Sequence, residues 1–401
     1  MKDKYFLIVL LCLFFGSLHS QNNDSTHVDI KNGITKSSVL SMHTFGIFIS
    51  RLQGNFKVQP SKRSLLTISL ESANVWSAPV TGYIPIEENV RNEARQYFYH
   101  EREFVFDIDE IESKRFDIAN DGVLKSLKVN YTIPVNKKSE LNFSLRSFLL
   151  TNGKSPFTML TGDRFIESFH SKIIGKDDPF ARKLFGYDKA QIIYKDRNDN
   201  YMEINDGDFI LGGIETSYYY YPNLSSKTLK INFGAHLGTN LSKYNSSIDL
   251  GLSTNAIKSY NLNDRNYFQF GASLGLLRKN IINLKEDNLE LGSNNYLGNI
   301  ETVIEYNFNS KGQTIHSFGA DFYLQTSLNK KNEFEYIIPI RSGVSEKSWV
   351  TGLSNLYRNN NYWTFFYSFS KKITTTFYLQ QDLTLNNNPD IQTGIGISFP
   401  M

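Results

Sequence analysis

The sequence predicts an all-β fold: an antiparallel transmembrane β-barrel of about 12 strands, within a range of roughly 10 to 14, carrying a partly helical insert in or over its lumen. Three observations predict it: side chains alternate apolar and polar over most of the chain, many alternating runs reach ten residues or more, and aromatic rings gather at the ends of those runs. Composition agrees, with 40% hydrophobic and 14% aromatic residues in a chain of 401. A balance of 43 Lys+Arg against 40 Asp+Glu excludes a polyanion binder working by bulk charge, so no nucleic-acid partner is expected. After residue 20 no apolar run reaches the ~18 residues of a membrane helix.

Taken in order, residues 1–20 read as an export signal: Lys2 and Lys4 precede an apolar stretch from Tyr5 to Phe15, and cleavage is expected after Ser20. The single cysteine, Cys12, lies within it and would leave with it, which excludes a disulfide framework, a catalytic thiol and a zinc thiolate site. Residues 21–63 are expected to form an N-terminal extension, loosely structured from Gln21 to about Lys36. Residues 64–399 are expected to form the barrel, with an insert at 151–200.

The barrel runs show period two. Leu229, Ile231, Phe233, Ala235 and Leu237 interleave with Lys230, Asn232, Gly234, His236 and Gly238, and Phe268, Phe270, Ala272, Leu274 and Leu276 with Gln269, Gly271, Ser273 and Gly275. A soluble sandwich alternates too, but its strands average ~5–6 residues, against ~9–11 for a tilted membrane strand. The polar set is rich in Gly, Asn and Gln, as a wet or crowded lumen requires. Tyr218 to Tyr221, Tyr260, Tyr267, Tyr357 and Tyr362-Trp363 stand where interfacial girdles belong. Turns such as Asn136-Lys137-Lys138-Ser139, Asn309-Ser310-Lys311-Gly312 and Arg358-Asn359-Asn360-Asn361 separate neighbouring runs. About fourteen runs lie between Ser64 and Phe399, of which one or two near Glu110 to Ile118 are expected outside the membrane. Ser72 to Pro85, apolar and proline-bearing, reads as a loop across the barrel mouth rather than a central strand.

The rhythm breaks from Thr151 to about Asn200. Phe165, Ile166, Phe169 and Ile173 fall at helical spacing with Gly175 placed as a stop, so a short amphipathic helix is expected, acting as plug or lid. Phe165-Ile166-Glu167-Ser168-Phe169-His170, followed by Gly175 and Arg182-Lys183, together with Glu71-Ser72-Ala73-Asn74-Val75, resembles the domain-of-unknown-function family numbered 3187. That resemblance implies an exported bacterial outer-membrane barrel and no particular activity.

Asp163, Arg164, Glu167, His170, Arg182 and Lys183 are the candidate lumen and plug residues. Asp163, Glu167 and His170, at spacings of four and three, also have the pattern of a metal or acid/base cluster, although structural hydrogen bonds and ion pairs to wall carboxylates such as Glu103, Asp107 or Glu305 explain them more simply. Lipid hydrolysis is the enzymatic alternative, but His170-Ser171 and His316-Ser317 are adjacent and point to opposite faces of a strand, so neither forms a local Ser–His relay. No catalytic residue, cofactor or metal is expected. The reading is a porin-like outer-membrane channel for small solutes, surrounded by outer-membrane lipid and lipopolysaccharide, with a structural or partner-binding barrel as the first alternative and a lipid hydrolase as the second.

Overall fold

A computed structural model describes residues 31–36, 44–83, 115–154, 158, 160–175, 186–196, 198, 200–223, 228–263, 265–310, 314–330, 359–381 and 391–401. The segment 1–20, Glu103, Asp107, Tyr357, Arg182 and Lys183 lie outside the described residues.

The strands are β1 (Leu65–Tyr83), β2 (Arg115–Asn136), β3 (Ser139–Thr151), β4 (Gln191–Lys195), β5 (Tyr201–Asn205), β6 (Phe209–Tyr220) and β7 (Leu229–Leu241). They continue with β8 (Ser246–Asn261), β9 (Asn266–Asn283), β10 (Tyr296–Asn309), β11 (Ile315–Gln325), β12 (Asn360–Ser370), β13 (Thr374–Gln381) and β14 (Ile391–Pro400). Twelve of them form a closed antiparallel barrel. Each pairs with its neighbour in order, β3 joins β6 directly, and β14 closes on β1 from Leu65↔Pro400 to Ala73↔Gln392. β4 and β5 stand outside the wall as a hairpin paired to the start of β2.

Period two resolves into two surfaces. Leu252, Leu274, Ile300, Phe318 and Phe365 point outward and are exposed, whereas Asn232, Asn255, Ser273, Glu305 and Asn307 point inward and are buried. In water an exposed band of large apolar side chains around a whole barrel would lose ~25 cal/mol for every Å² left unburied. Against hydrocarbon it is satisfied, so this is a lipid-facing surface.

Near the rim that carries both barrel termini, rings ladder across consecutive strands: Tyr260 with Phe270 at 5.6 Å, Phe268 with Tyr306 at 5.0 Å, Phe308 with His316 at 4.7 Å and Phe318 with Tyr367 at 4.7 Å. Trp363 meets Phe322 at 4.9 Å on the far half of the wall. The girdle expectation holds for Tyr218, Tyr220, Tyr260 and Trp363. Tyr219, Tyr221, Tyr267 and Tyr362 fall out of it, because alternation turns Tyr219, Tyr267 and Tyr362 inward, Tyr267 opposite the buried Asn307, and Tyr221 is buried beyond the strand end.

The terminal rim carries only short turns, from the Asn136/Ser139 hairpin to that between Ser370 and Thr374, and the far rim carries the long connections. β1 and β2 project beyond the far rim as an arm that β4 and β5 extend on the other side of β2: after Ala73, the partner of β1 among the described residues is β2, as far as Tyr83↔Arg115. Residues 72–83 are therefore strand and not loop. Pro79 is tolerated because it sits at the register shift between Ser77 and Val80, on the edge of the described sheet.

Candidate functional site

Of the described residues, 31–36 and 44–63 fill the lumen, and the insert helix does not. The chain rises along β10 and β11 from Lys31 to Lys36, and from Phe45 it descends to Ser64 at the terminal rim; Ile34 N donates to Phe56 O at 3.0 Å between the two legs. Peptide groups threaded through a barrel need partners other than a ladder, and the wall supplies carboxylates. Ser50 N donates to Asp249, Arg51 N to Glu215, Thr35 N to Glu305 and Ser61 N to Glu140 at 2.9–3.0 Å, and Gly54 N to Glu301 at 2.5 Å. The same acids take the segment's cations: Lys31 on Glu305 at 2.7 Å, Lys57 on Glu140 at 2.9 Å, and Lys36 on Glu301. In return Arg146 of the wall donates to Ile49 O at 2.8 Å while pairing with Glu215 at 3.0 Å, and Arg51 lies 4.3 Å above the Tyr323 ring.

Wall glycines make room for this segment. A Cβ on Gly271 would stand 2.5 Å from the Phe56 ring, one on Gly251 2.9 Å from Leu52, and one on Gly238 would overlap Ser50. These alternating inward glycines are the crowded-lumen positions read in the sequence, and the crowding comes from the N-terminal segment.

At the far end the closure is apolar. Phe45, Ile47, Phe48, Ile49 and Leu52 pack with Val75, Leu124, Phe148 and Leu150 of the wall and with Ile192, Tyr194, Met202 and Ile204 of the β4–β5 hairpin. Each such fully buried side chain contributes about 1.5–3 kcal/mol. The insert thus helps to close the barrel through its hairpin. Its helix, α1 (Asp163–Phe169), continued by a wider turn over His170–Ile174, is a minor element elsewhere.

That helix docks on the outside of the β1–β2 arm. Ser72 and Asn74 belong to the row of the exposed Leu70, opposite to the inward Glu71 and Val75; Ser72 Oγ meets Thr161 Oγ1 at 2.6 Å, and Asn74 Nδ2 donates to Asp163 at 2.9 Å. Asp163 also accepts Asp188 N at 3.0 Å, which commits its carboxylate to holding the insert. Arg164 is exposed and pairs with Asp188 at 3.2 Å, and Glu167 and His170 are half-buried on the same outer helix. None of these four lines the lumen. Of the helical stripe Ile166 is buried and Phe169 half-buried while Phe165 and Ile173 are exposed, and it is Thr161 and Asp163 that choose the outer row of β1. Glu305, expected to pair with the insert, pairs with Lys31. Among the described residues no group of three His, Cys, Asp or Glu is placed to hold a metal.

Between the N-terminal segment and the wall of β1–β3, β6, β7, β13 and β14 lies a cavity of about 460 Å³ that reaches the terminal rim past Ser61, Arg63 and Pro400. His236 on β7 lies at its edge, with Nδ1 2.8 Å from Ser217 Oγ on β6 and Nε2 2.8 Å from Ser253 Oγ on β8. Sequence spacing missed this pair because it is made across strands, in the register Ser217↔His236. Hydrogen-bonded in this way, the imidazole is placed to take a proton from Ser217, although its far nitrogen meets a hydroxyl rather than a carboxylate.

Fold and site define a class: a membrane-spanning twelve-strand barrel occupied by its own N-terminal segment. No family model matches the chain, and no curated protein matches it. Similar solved structures include an outer membrane channel from Pseudomonas putida F1, at 6% identity over 88% of this chain and 98% of that one, with a TM-score of 0.38. LpxR from Salmonella typhimurium matches at 7% identity over 84% and 100%, TM-score 0.37, and the beta domain of the Bordetella autotransporter BrkA at 6% over 85% and 100%, TM-score 0.36. These likenesses are equally low, so function is read from this chain's own geometry.

Proposed function

We propose that the protein is an outer-membrane barrel that passes small solutes when its N-terminal segment leaves the lumen, a porin-like channel closed by its own chain. The segment's route carries this reading. Its described ends, Lys31 and Ser64, both lie toward one rim, and in that half of the barrel hydrogen bonds and ion pairs that water can replace hold it. With short turns at one rim and long connections at the other, bacterial barrels place the terminal rim in the periplasm. The export signal at 1–20, lipid and lipopolysaccharide as surroundings, and membership of the family numbered 3187 belong to the same proposal.

Planar-bilayer recording tests it. Deletion of residues 31–61 is expected to give conductance steps that the intact chain lacks, and deletion of 162–175 to change nothing. Absence of conductance in the 31–61 deletion, with the barrel still shifting on gels when boiled, would favour the structural alternative. A second reading, lipid hydrolysis, draws on the Ser217–His236 contact. It requires that fatty acid released from phospholipid disappear in both Ser217→Ala and His236→Ala.

A further inference from the structure

Among the described cations of the lumen, Lys31, Lys36, Lys57 and Arg146 each have a carboxylate, Arg51 lies against two tyrosine rings, and Lys279 donates to Ser293. Lys128 on β2 is different. Its residue is only 6% exposed, it lines the cavity, and it makes no direct ion pair or hydrogen bond; the carboxylates that attract it from farther off, Glu215 and Glu71, are held by Arg146 and Arg51 N and by Ser126. A buried ammonium without a direct partner is costly. The register worsens its position: Lys128 stands directly opposite Arg146, whose guanidinium is already committed to Glu215 and to Ile49 O, and like charges opposite one another destabilise a strand pair. On its other side stands Ser69 of β1. One step toward the terminal rim, Ser144 on β3 faces the same cavity with its hydroxyl buried and unpaired. Asn130 and Thr67, directly opposite each other, complete this wall with neutral hydrogen-bonding groups.

We propose that this cavity binds a small hydroxylated carboxylate, its carboxylate on Lys128 and its hydroxyls on Ser144 and the neighbouring Ser69, Asn130 and Thr67. With Glu215 of the same cavity already paired to Arg146, the one ammonium that lacks a direct partner matches one negative charge, and the hydroxyl and amide groups beside it both donate and accept, as a polyol requires. A volume of about 460 Å³ falls within the range of ligand pockets for small molecules. The site belongs to the closed barrel and is read by binding, so its fate is separate from that of the channel reading.

Isothermal titration of the full-length protein in detergent, with D-glucuronate and D-glucose as probes, tests the site. Saturable glucuronate binding is expected, weakened at least tenfold in Lys128→Met, restored in Lys128→Arg and lowered a few-fold in Ser144→Ala, with glucose much weaker than glucuronate throughout. Gel mobility before and after boiling confirms an intact barrel in each variant. No saturable heat in the wild type, equal affinity in Lys128→Met, or glucose binding as tight as glucuronate would each overturn the proposal.

Discussion

Gly238→Ala isolates the contact between the N-terminal segment and the wall. A Cβ at Gly238 would lie 2.6 Å from Ser50 Cβ and overlap its hydroxyl, whereas its nearest wall neighbour, Asp249 Cβ, would be 3.6 Å away in ordinary contact. The strand therefore accepts alanine and the segment does not. Overpacking of this kind costs about 1–3 kcal/mol, and here it falls only on the closed state, because the collision ends when Ser50 moves away. The ratio of open to closed barrels should rise by roughly 5- to 150-fold. Replacing glycine also stiffens the unfolded chain, worth about 0.4–1 kcal/mol, but that acts on barrel stability and leaves the gate alone. Ser50→Gly deletes both colliding atoms and loosens the segment slightly by itself, so the informative quantity is the departure from additivity in the double variant. Open probability in planar bilayers should rise in Gly238→Ala and fall back toward the Ser50→Gly value when both are present. If Gly238→Ala stays as closed as the wild type, or Ser50→Gly brings no relief, the segment does not close the channel as argued.

Other outcomes follow from burial and facing. Arg146→Met leaves Glu215 short of its buried cation and Ile49 O without a donor, so it should lower stability by about 3–5 kcal/mol, read as a fall in the denaturation midpoint. Arg164→Met, which breaks an exposed pair, should shift the same midpoint by no more than ~1 kcal/mol. Leu252 is 66% exposed in the middle of the outward row of β8, and Leu252→Arg should cost about 2–4 kcal/mol of insertion into lipid vesicles. Leu229→Arg, at the end of a strand, should cost no more than ~1 kcal/mol in the same assay.

The wall was legible in the sequence because period two and turn residues are local signals. Alternation sorts Phe233 from Asn232, and the twelve wall strands with an outlying hairpin match about fourteen runs of which one or two lie outside. The described part of the expected Glu110 to Ile118, residues 115–118, does lie outside the wall in the β1–β2 arm, and the β4–β5 hairpin beside it was not foreseen. What occupies the lumen was not legible, since Phe45 to Phe56 meet wall positions scattered from Val75 to Tyr378 and no periodicity reports such partners. The glycines announced crowding without naming what crowds them. Of the stripe Phe165, Ile166 and Phe169, Ile166 alone is buried, and amphipathicity carries no information about which surface covers it. The Ser217–His236 contact depends on the register across a hairpin, invisible to any count along one strand. One signal was available: residues 31–63 contain Lys31, Lys36, Arg51, Lys57, Lys62 and Arg63 and no Asp or Glu, which marks a segment suited to an acidic interior.

That charge asymmetry gives the closing segment a second effect. The described inward rows carry Glu71, Glu140, Glu215, Asp249, Glu301, Glu305 and Asp321 against Lys128, Arg146 and Lys279, so the bare wall is acidic. While residues 31–63 are in place their cations answer most of these carboxylates, and the remaining cavity presents Lys128, which has no direct ion pair. Once the segment has gone, Glu301, Glu305 and Asp321 on β10 and β11 face the pore unpaired, and rings of acidic side chains favour cations. Opening should therefore reverse the preference, from an anion held at rest to cations in passage. The zero-current potential of the 31–61 deletion across a KCl gradient should carry the sign of potassium permeation, and Glu301→Gln with Glu305→Gln should move it toward zero. A chloride-selective pore in the deletion would mean that Lys128 and Arg146 dominate the open lumen, and that the segment's basic residues serve to hold it in place without masking the wall.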